Sequence, residues 1–255
     1  MKIIVNGACG RMGKELISAA KSNNIEIAAC VDVCSCANGD LPFYRNLASV
    51  DVKADVLIDF SNHVSINDIS AFVASNPLPC VIASTGHTES ELALMRAMAE
   101  SVPVFYSRNM SLGINVLIDL CRCAVKAFGG ECDIEIIEKH HRNKLDSPSG
   151  TALMIAEELL PLLPEGASYV TDRSDRRAVR PANEIGISSV RCGAIFGEHE
   201  VIISHGAEYL TLKHTAGSRA LFAEGALSAA DYVMAKAPGM YSMKDLLSEK
   251  SAPQN

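Results

Sequence analysis

The chain has 255 residues, of which 48% are hydrophobic and 21% are charged, and its formal net charge is −7 at pH 7. This length suits one large α/β domain or two smaller ones, and the composition is that of a globular protein rather than a disordered one. The negative charge disfavours nucleic acid as a partner, because phosphate binding needs a basic surface.

The first part of the chain alternates between short apolar runs and helical patterns. Candidate strands cover residues 3–6, 27–31, 56–59, 80–83 and 104–106, and candidate helices cover residues 11–22, 64–76 and 90–101. This alternation predicts a Rossmann-type α/β domain, with a parallel sheet and helices on both faces. A ligand of such a sheet binds at the carboxyl ends of the strands, which makes residues 59–61, 84–87 and 107–111 candidates for a site.

A glycine-rich turn follows the first predicted strand. Gly7, Gly10 and Gly13 stand between this strand and the next helix, as a variant of the dinucleotide-binding fingerprint requires. Asp32 ends the second strand roughly 20 residues further on, where a carboxylate can bind the hydroxyls of the adenosine ribose. We therefore predict a dinucleotide site, with an ordinary strand–turn–helix unit as the alternative.

The pattern changes after Gly113. We predict a helix over 114–128, a strand over 132–138, and a helix over 148–160 with Ser147 as its N-cap and Pro148 in its first position. Residues 187–191, 198–204 and 209–214 alternate like strands without intervening helices, which indicates a mixed or antiparallel sheet. An alanine-rich helix over 218–234 is predicted to return to the first domain, and residues 248–255 are predicted to fray.

These elements predict two domains. The first is a dinucleotide-binding domain formed by residues 1–110 and 217–255. The second is a smaller α+β domain formed by residues 111–216, which we expect to bind the substrate and to carry the oligomer contacts.

The segment 138–152 combines proton-handling side chains with a helix start. His140 and His141 can exchange protons near neutral pH, and Lys144 is a cation that can also act as an acid. The helix start at Gly150 and Thr151 presents backbone N–H groups and a partial positive charge, which suit a carboxylate or a phosphate. Together they predict an active site for a small, negatively charged substrate, and the alternative is a surface loop without function.

The nine cysteines do not indicate a metal site. Cys34 and Cys36 lie close together, but no second pair accompanies them, so zinc is not expected and the pair has no functional explanation. An odd number of cysteines without an export signal argues for free thiols in a reducing compartment. No N-terminal apolar run is long enough for a signal peptide or a membrane span, so we expect a cytoplasmic protein without a membrane partner.

Residues 138–152 closely resemble the signature E-x-H-H-x-x-K-x-D-x-P-S-G-T-A of the dihydrodipicolinate reductase family. The glycine loop with Arg11 and Met12 also resembles this family, as do residues 109–111, 113–115 and 197–199, so the resemblance spans essentially the whole chain. It implies NAD(P)H-dependent reduction of 4-hydroxy-tetrahydrodipicolinate (dihydrodipicolinate) to tetrahydrodipicolinate, in diaminopimelate and lysine biosynthesis. It also implies a homotetramer built by the sheet of the substrate domain, and hinge closure between the domains.

The resemblance implies a role for each matching residue. His140 is similar to the family's catalytic proton donor or acceptor and Lys144 to its proton donor, while His141, Gly150 and Thr151 match residues that bind the substrate. Cofactor contacts are implied for the pyrophosphate loop, the ribose-binding acid and two segments that line the nicotinamide, which comprise Gly7, Ala8, Cys9, Gly10, Arg11, Met12, Asp32, Ala83, Ser84, Thr85, Ser107, Arg108, Asn109 and Met110.

Some positions depart from the family pattern. Val33 follows Asp32 where some relatives carry an arginine, so a 2′-phosphate would meet the charge of Asp32 without an obvious partner. The hypothesis is therefore a preference for NADH over NADPH, and Arg11 is the main argument against it. Ala83 and Ser84 replace a Gly-Thr pair, which their small size makes tolerable, and His87 is expected to be a packing or edge residue.

Two alternative functions fit parts of the sequence. One is another Rossmann-type dehydrogenase of imines or amino acids, such as a relative of aspartate dehydrogenase, which would share the nucleotide half. The other is a non-catalytic protein that binds NAD(H) and a partner, and such a protein would be expected to lose the proton donors.

Overall fold

The structure is a computed structural model that describes residues 1–35 and 40–251. In chain order its strands are β1 (Lys2–Asn6), β2 (Glu26–Val31), β3 (Phe43–Tyr44), β4 (Val56–Asp59), β5 (Cys80–Ile82), β6 (Pro103–Tyr106), β7 (Asp133–His140), β8 (Ser168–Val170), β9 (Glu184–Arg191), β10 (Gly197–His205), β11 (Glu208–Ala216) and β12 (Gly239–Tyr241). Its helices are α1 (Arg11–Ser22), α2 (Ile66–Ser75), α3 (Glu89–Met98), α4 (Leu112–Ala127), α5 (Gly150–Leu159), α6 (Ala220–Met234) and α7 (Met243–Ser251).

The described chain forms two compact units. The first comprises Met1–Leu112 and the chain from Arg219 onwards, and the second comprises Gly113–Ser218. No helix among the described residues is long and apolar enough to cross a membrane.

The first unit contains a seven-stranded parallel sheet in the order β12-β6-β5-β4-β1-β2-β3. This is the strand order of a doubly wound nucleotide-binding fold with one strand added at an edge, so the predicted Rossmann-type sheet is confirmed. Asn6, at the end of β1, lies opposite Val31 of β2 and Asp59 of β4. The strands therefore end together beside the point where the strand order reverses, which is where such sheets bind ligands.

Helices cover both faces of this sheet, which explains why its central strands are continuous apolar runs. On one face α1 and α6 contribute to a cluster that includes Leu16 and Val233, and on the other face α2 and α3 contribute to a cluster that includes Ile69 and Met95. The small residues of α6 let it approach closely, since an added Cβ at Gly225 would lie 1.7 Å from the backbone oxygen of Met110.

The second unit contains a five-stranded sheet in the order β11-β10-β7-β9-β8. Strand β10 is antiparallel to both β11 and β7, whereas β9 is parallel to both β7 and β8, so the predicted mixed sheet is confirmed. Alternate residues of these strands pack against α4 and α5, among them Ile134, Ile136, Val201 and Ile203.

Some predicted boundaries were wrong. Helix α5 begins at Gly150, and its N-cap is Ser149 rather than Ser147, because the Ser149 hydroxyl accepts a hydrogen bond from the N–H of Ala152. Strand β7 continues to His140, so this histidine lies on a strand and not on a loop. The tail that was expected to fray from Ser248 is helical as far as Ser251.

The expectation that all cysteines are free thiols was also wrong. Cys9 is disulfide-bonded, whereas Cys30, Cys34, Cys80, Cys121, Cys123, Cys132 and Cys192 are free. Cys36 lies outside the described residues.

Candidate active site

The glycine loop joins β1 to α1 in the first unit. Gly7 has a positive φ of 81°, and an added Cβ there would lie 2.7 Å from the backbone of Ser61. An added Cβ at Gly13 would lie 2.1 Å from the backbone oxygen of Gly7, so only glycine lets α1 pack this closely against the loop. Gly10 caps α1 without a side chain, and the first turn has no acidic residue. This helix start therefore suits a phosphate group.

Asp32 follows β2, and its carboxylate accepts hydrogen bonds from two backbone segments. Its Oδ2 accepts a hydrogen bond from the N–H of Cys9 at 2.8 Å, and its Oδ1 accepts one from the N–H of Cys34 at 2.9 Å. A cavity of about 390 Å³ lies beside this carboxylate and is lined by Gly7, Gly10 and Phe60, among other residues.

Arg45 also lines this cavity, although no motif in the sequence points to it. The N–H of Asp32 donates to the backbone oxygen of Tyr44 at 3.1 Å, so Arg45 follows β3 at the level where Asp32 follows β2. Its Nη1 donates to the backbone oxygen of Val33 at 2.6 Å, and its Nη2 to the hydroxyl of Ser35 at 3.3 Å. An exposed guanidinium therefore lies close to the predicted ribose site.

A buried polar network occupies the centre of the same sheet edge. The carboxyl of Asp59 accepts hydrogen bonds from Asn6 Nδ2 at 2.8 Å, from Ser61 Oγ at 2.5 Å and from Ser84 Oγ at 2.5 Å. Burial raises the pKa of Asp59, although these hydrogen bonds oppose the shift. The network connects the ends of β1, β4 and β5, and so it holds this edge together.

The two segments predicted to line the nicotinamide follow β5 and β6 at this edge. Ala83, Ser84 and Thr85 come directly after β5, and Ser107, Arg108, Asn109 and Met110 come directly after β6. Ser107 Oγ donates to the backbone oxygen of Asn109 at 2.8 Å, which closes a turn. The ring of His87 is buried and packs edge-on against Tyr106.

In the second unit, the centre of the histidine segment is the fully buried carboxylate of Glu138. Its Oε2 lies 2.5 Å from Nδ1 of His140, and Arg191 donates to both carboxylate oxygens at 2.8 and 2.7 Å. The N–H of Ser149 donates to Oε1 at 3.1 Å. Burial alone would raise the pKa of Glu138, but the hydrogen bonds from His140 and Arg191 outweigh it and hold that pKa well below its usual range.

His199 of β10 lies opposite Glu138 of β7 and opposite His214 of β11. Its Nε2 lies 3.1 Å from Ser149 Oγ, and its ring meets that of His140 edge-on with the centroids 5.2 Å apart. Burial, with a contribution from the charge of His140, lowers the pKa of His199 to about 3, and burial also lowers the pKa of His214. His199 is therefore a neutral imidazole at neutral pH.

Lys144 lies in the turn between β7 and α5. Its Nζ is 2.8 Å from Oδ1 of Asp146, whose Oδ2 accepts a weak hydrogen bond from the N–H of Gly150 at 3.4 Å. Partial burial would raise the pKa of Asp146, but the hydrogen bond and the charge of Lys144 outweigh it and keep that pKa below its usual range. An added Cβ at Gly150 would meet no atom within 4 Å, so there is space for a ligand beside Gly150 at the start of α5.

His141 follows directly after β7 and is half-buried. Its backbone oxygen accepts the N–H of Lys144 at 3.1 Å, while its Nδ1 finds no hydrogen-bond partner among the residues that the structure describes. The structure thus brings proton-exchanging groups, a cation and an anion-binding helix start into one short stretch of the second unit. Such a site can bind a carboxylate and can donate a proton beside it.

Sequence reasoning gave no role to Glu138, Arg191, His199 or His214. These residues come from four strands and meet only because of the pairing between the strands. Alternation along each strand indicates which residues share a face, but it does not indicate which residues lie opposite each other.

Potential metal ligands do not cluster in the described parts of the chain. Residues 1–35 and 40–251 contain no group of three or more His, Cys, Asp or Glu side chains that could hold a metal ion.

Comparison with known proteins gives a consistent result. The family model for the N-terminus of dihydrodipicolinate reductase matches residues 1–110, and the model for its C-terminus matches residues 113–247. The 4-hydroxy-tetrahydrodipicolinate reductase of Caldanaerobacter subterraneus subsp. tengcongensis is 45% identical over 248 residues, which cover 97% of this chain and 98% of the relative. The enzyme of the same name from Clostridium tetani is 41% identical over 248 residues, which cover 97% of each chain.

A solved structure shares the fold. Dipicolinate-bound dihydrodipicolinate reductase from Paenisporosarcina sp. TG-14 has a TM-score of 0.80 to this chain at 24% identity, and the match covers 95% of this chain and 97% of that one. Both halves of the sequence match one family, and the relatives match over nearly their full length. The chain therefore belongs to the dihydrodipicolinate reductase family.

Proposed function

We propose that this protein is a 4-hydroxy-tetrahydrodipicolinate reductase. It would use NADH, NADPH or both to reduce 4-hydroxy-tetrahydrodipicolinate to tetrahydrodipicolinate, in diaminopimelate and lysine biosynthesis. The first unit would bind the dinucleotide, and the second would bind the substrate and form the oligomer contacts. The observation that carries the proposal is the segment from Glu138 to Thr151, where His140, Lys144 and the start of α5 lie in one unit of a chain that belongs to this family.

The first unit fits a dinucleotide. Gly7 and Gly13 form a cradle that any Cβ would fill, and the start of α1 at Gly10 has neither a capping side chain nor an acidic residue. The loop would hold the pyrophosphate and Asp32 the ribose, while the segments after β5 and β6 would line the nicotinamide. When bound, the cofactor supplies the hydride.

The substrate is a cyclic imine with two carboxylates, so its site must bind anions and provide a proton. The backbone N–H groups at Gly150 and Thr151 would bind one carboxylate, and His141 and Lys144 would offer cationic or polar donors. As the ring is reduced, its nitrogen gains electron density, and His140 or Lys144 would supply the compensating proton. Lys144 must then leave Asp146 in order to reach the substrate.

The preference for a cofactor is a separate part of the proposal. The charge of Asp32 and the neutral Val33 disfavour a 2′-phosphate, which supports a preference for NADH. Arg45 supports the opposite, because its guanidinium lies at the same edge of the cavity. Comparable kcat/KM for NADPH and NADH at low ionic strength would contradict the preference for NADH.

The proposal includes a homotetramer in the cytoplasm. Val190 and Tyr209 are exposed on the face of the mixed sheet opposite to the one that packs against α4 and α5, and a contact between subunits through this face would cover them. The free cysteines fit a reducing compartment, in which the disulfide at Cys9 is unusual. Light scattering of the purified protein measures the mass of the assembly directly.

The central experiment follows NADH oxidation while the preceding synthase generates the substrate from pyruvate and aspartate semialdehyde. His140→Gln and Lys144→Ala should each lower kcat by about 100-fold or more, since a positioned proton donor contributes roughly 10²- to 10⁴-fold, and NADH binding should be unchanged. Lys139→Ala is the matched control, because Lys139 precedes His140 but pairs with Glu198. It should keep its activity within about twofold.

The alternatives predict different results. Another dehydrogenase would oxidise NADH with an amino acid or imine of its own but not with this substrate. A non-catalytic sensor would bind NADH without oxidising it, and pyridine-2,6-dicarboxylate, a planar mimic of the substrate, would not stabilise it further.

A further inference from the structure

Glu138 is a buried carboxylate that the sequence motif contains but to which no role has been given. It lies on the same strand as His140, two residues earlier, so both side chains point to the face that packs against α4 and α5. His140 in turn lies opposite Arg191 of β9. The pairing of β7 with β9 thus places the carboxylate between a histidine and a guanidinium.

The hydrogen bonds to Glu138 keep its carboxylate ionised. Arg191 contacts both carboxylate oxygens at 2.8 and 2.7 Å, and the N–H of Ser149 contacts Oε1 at 3.1 Å. A guanidinium and a backbone N–H can only donate, so both groups stabilise the ionised carboxylate. An ionised carboxylate can only accept hydrogen bonds.

The charge of Glu138 then determines which nitrogen of His140 carries a proton. Nδ1 of His140 lies 2.5 Å from Oε2 of Glu138, and it must be the donor in this contact because the carboxylate cannot donate. In the neutral ring the lone pair is therefore on Nε2.

A glycine faces Nε2 of His140. It is Gly197 of β10, and a Cβ added there would lie 3.0 Å from Nε2 and 3.3 Å from Cδ2 of His140. Gly197 does not adopt a positive φ, so its backbone alone does not require glycine. The missing side chain instead leaves space beside the nitrogen.

We propose that Glu138 is the positioning residue for His140: it holds a proton on Nδ1 and leaves Nε2 as the atom that exchanges a proton with the substrate. Nε2 first takes up a proton from solvent, the imidazolium then donates it to the substrate nitrogen, and the neutral ring with a bare Nε2 is restored. Arg191 and the N–H of Ser149 keep Glu138 ionised, and Gly197 keeps Nε2 clear. Glu138 itself takes no proton during the reaction. The role in catalysis rests on the proposed function, whereas the position of the proton in the free protein does not.

The first test determines which ring nitrogen of His140 carries the proton. Long-range proton–nitrogen NMR spectra of the deuterated protein with ¹⁵N-labelled histidine distinguish a protonated ring nitrogen from a bare one, and His140→Gln identifies the signals of His140. Well above the ordinary histidine pKa of about 6.5, we expect wild-type His140 to show a protonated Nδ1 and a bare Nε2. A bare Nδ1 in the wild type would overturn the proposal, whatever the enzyme's activity.

The second test replaces the carboxylate of Glu138, which accepts the hydrogen bond from Nδ1 of His140. In Glu138→Gln, the amide N–H₂ group would replace Oε2, which faces Nδ1. Oε1 accepts two hydrogen bonds, from Nη2 of Arg191 and from the N–H of Ser149, whereas Oε2 accepts only one from Arg191, so the amide oxygen is favoured at the position of Oε1. We expect His140 to shift its proton to Nε2, and kcat to fall by about 100-fold or more while KM changes by less than roughly threefold. Unchanged kcat with a folded variant would contradict the role of Glu138.

Two further variants serve as controls. Glu200→Gln makes the same chemical change on β10, but Glu200 alternates with His199 and faces away from His140, so the proton on His140 and kcat should not change. Gly197→Ala should lower kcat by about tenfold or more without moving the proton from Nδ1, because the methyl group covers Nε2. Full activity of Gly197→Ala would show that Nε2 is not the exchanging atom.

These outcomes separate the two proposals. If wild-type protein never oxidises NADH, the proposed function fails, and the NMR spectra still decide the position of the proton. If Glu138→Gln does not fold, the wild-type spectrum and Gly197→Ala decide the role of Glu138 and Nε2.

Discussion

His199 has two other histidines as neighbours, His140 and His214, and burial determines its charge. Its ring is almost inaccessible to solvent, and its Nε2 lies beside the hydroxyl of Ser149. A proton on His199 would be buried next to His140, which explains why its pKa falls to about 3. His199 therefore acts as a neutral hydrogen-bonding group that supports the cap of α5.

This burial predicts a dependence of stability on pH. The unfolded chain binds a proton at His199 below about pH 6.5, whereas the folded chain does so only below about pH 3. The free energy of unfolding should therefore fall as the pH decreases through this window, with a contribution from His199 of up to about 1.4 kcal/mol per pH unit.

Urea unfolding of His199→Gln across this window tests the prediction. The variant keeps a hydrogen-bonding side chain but cannot take the proton, so its stability should fall less steeply towards acid pH. His205→Gln is the control, because His205 is an exposed histidine of the same strand. Equal slopes for wild type and His199→Gln would show that His199 does not couple folding to pH.

At the scale of elements, β3 is two residues long, yet it brings Arg45 to the nucleotide cavity. Nothing near Asp32 in the sequence provides this cation, since Val33 follows it. The parallel pairing of β3 with β2 provides it instead. A short edge strand can therefore change the electrostatics of a cofactor site.

Arg45→Ala tests this contribution to cofactor choice. A guanidinium within reach of a 2′-phosphate would form a charge-assisted hydrogen bond, so kcat/KM with NADPH should fall by about tenfold, and kcat/KM with NADH should change by less than about twofold. Arg11→Ala, measured in parallel, determines whether the glycine loop provides the cation instead. An equal loss with both cofactors would mean that Arg45 only supports the fold.

The start of α5 provides a second test at this scale. Ser149→Ala removes the hydroxyl that accepts the N–H of Ala152, and this should lower the free energy of unfolding by about 1 kcal/mol. Ser147→Ala is the matched control, because Ser147 is exposed and does not cap the helix, so its effect should be within about 0.5 kcal/mol. Thermal or urea unfolding of both variants gives the comparison, and a larger effect at Ser147 would restore it as the N-cap.

At the scale of the whole molecule, the proposed ligands should act on different units. A ligand that binds only the folded state raises the apparent stability by about 2.7 kcal/mol at a concentration of 100 times its Kd. We expect NADH to slow amide hydrogen exchange in residues 7–13, and pyridine-2,6-dicarboxylate to slow it in residues 141–153. Protection by the dicarboxylate that is confined to the glycine loop would contradict the assignment of the substrate to the second unit.

Features that consecutive residues encode could be predicted from the amino-acid sequence. The turn directly after β1 contains Gly7, Gly10 and Gly13, and one segment of a dozen residues contains His140, Lys144 and Gly150. Residues this close in the sequence are also close in space, so their spacing indicates the local structure. The apolar runs of the first unit likewise predicted a sheet covered on both faces. A distinctive motif of this kind identified the family before any packing was known.

Contacts between residues that are distant in the chain could not be predicted in this way, because they depend on how the strands pair. Arg45 reaches the level of Asp32 through the pairing of β3 with β2, and Arg191 and His199 reach His140 through the register of β9 and β10 with β7. The N-cap of α5 is Ser149 and not Ser147, although the two residues are only two positions apart. Which of them caps the helix depends on where the backbone turns into α5. The physical reason is that alternation fixes the face of each strand, whereas the register between strands is set by packing of the whole sheet, which no single segment encodes.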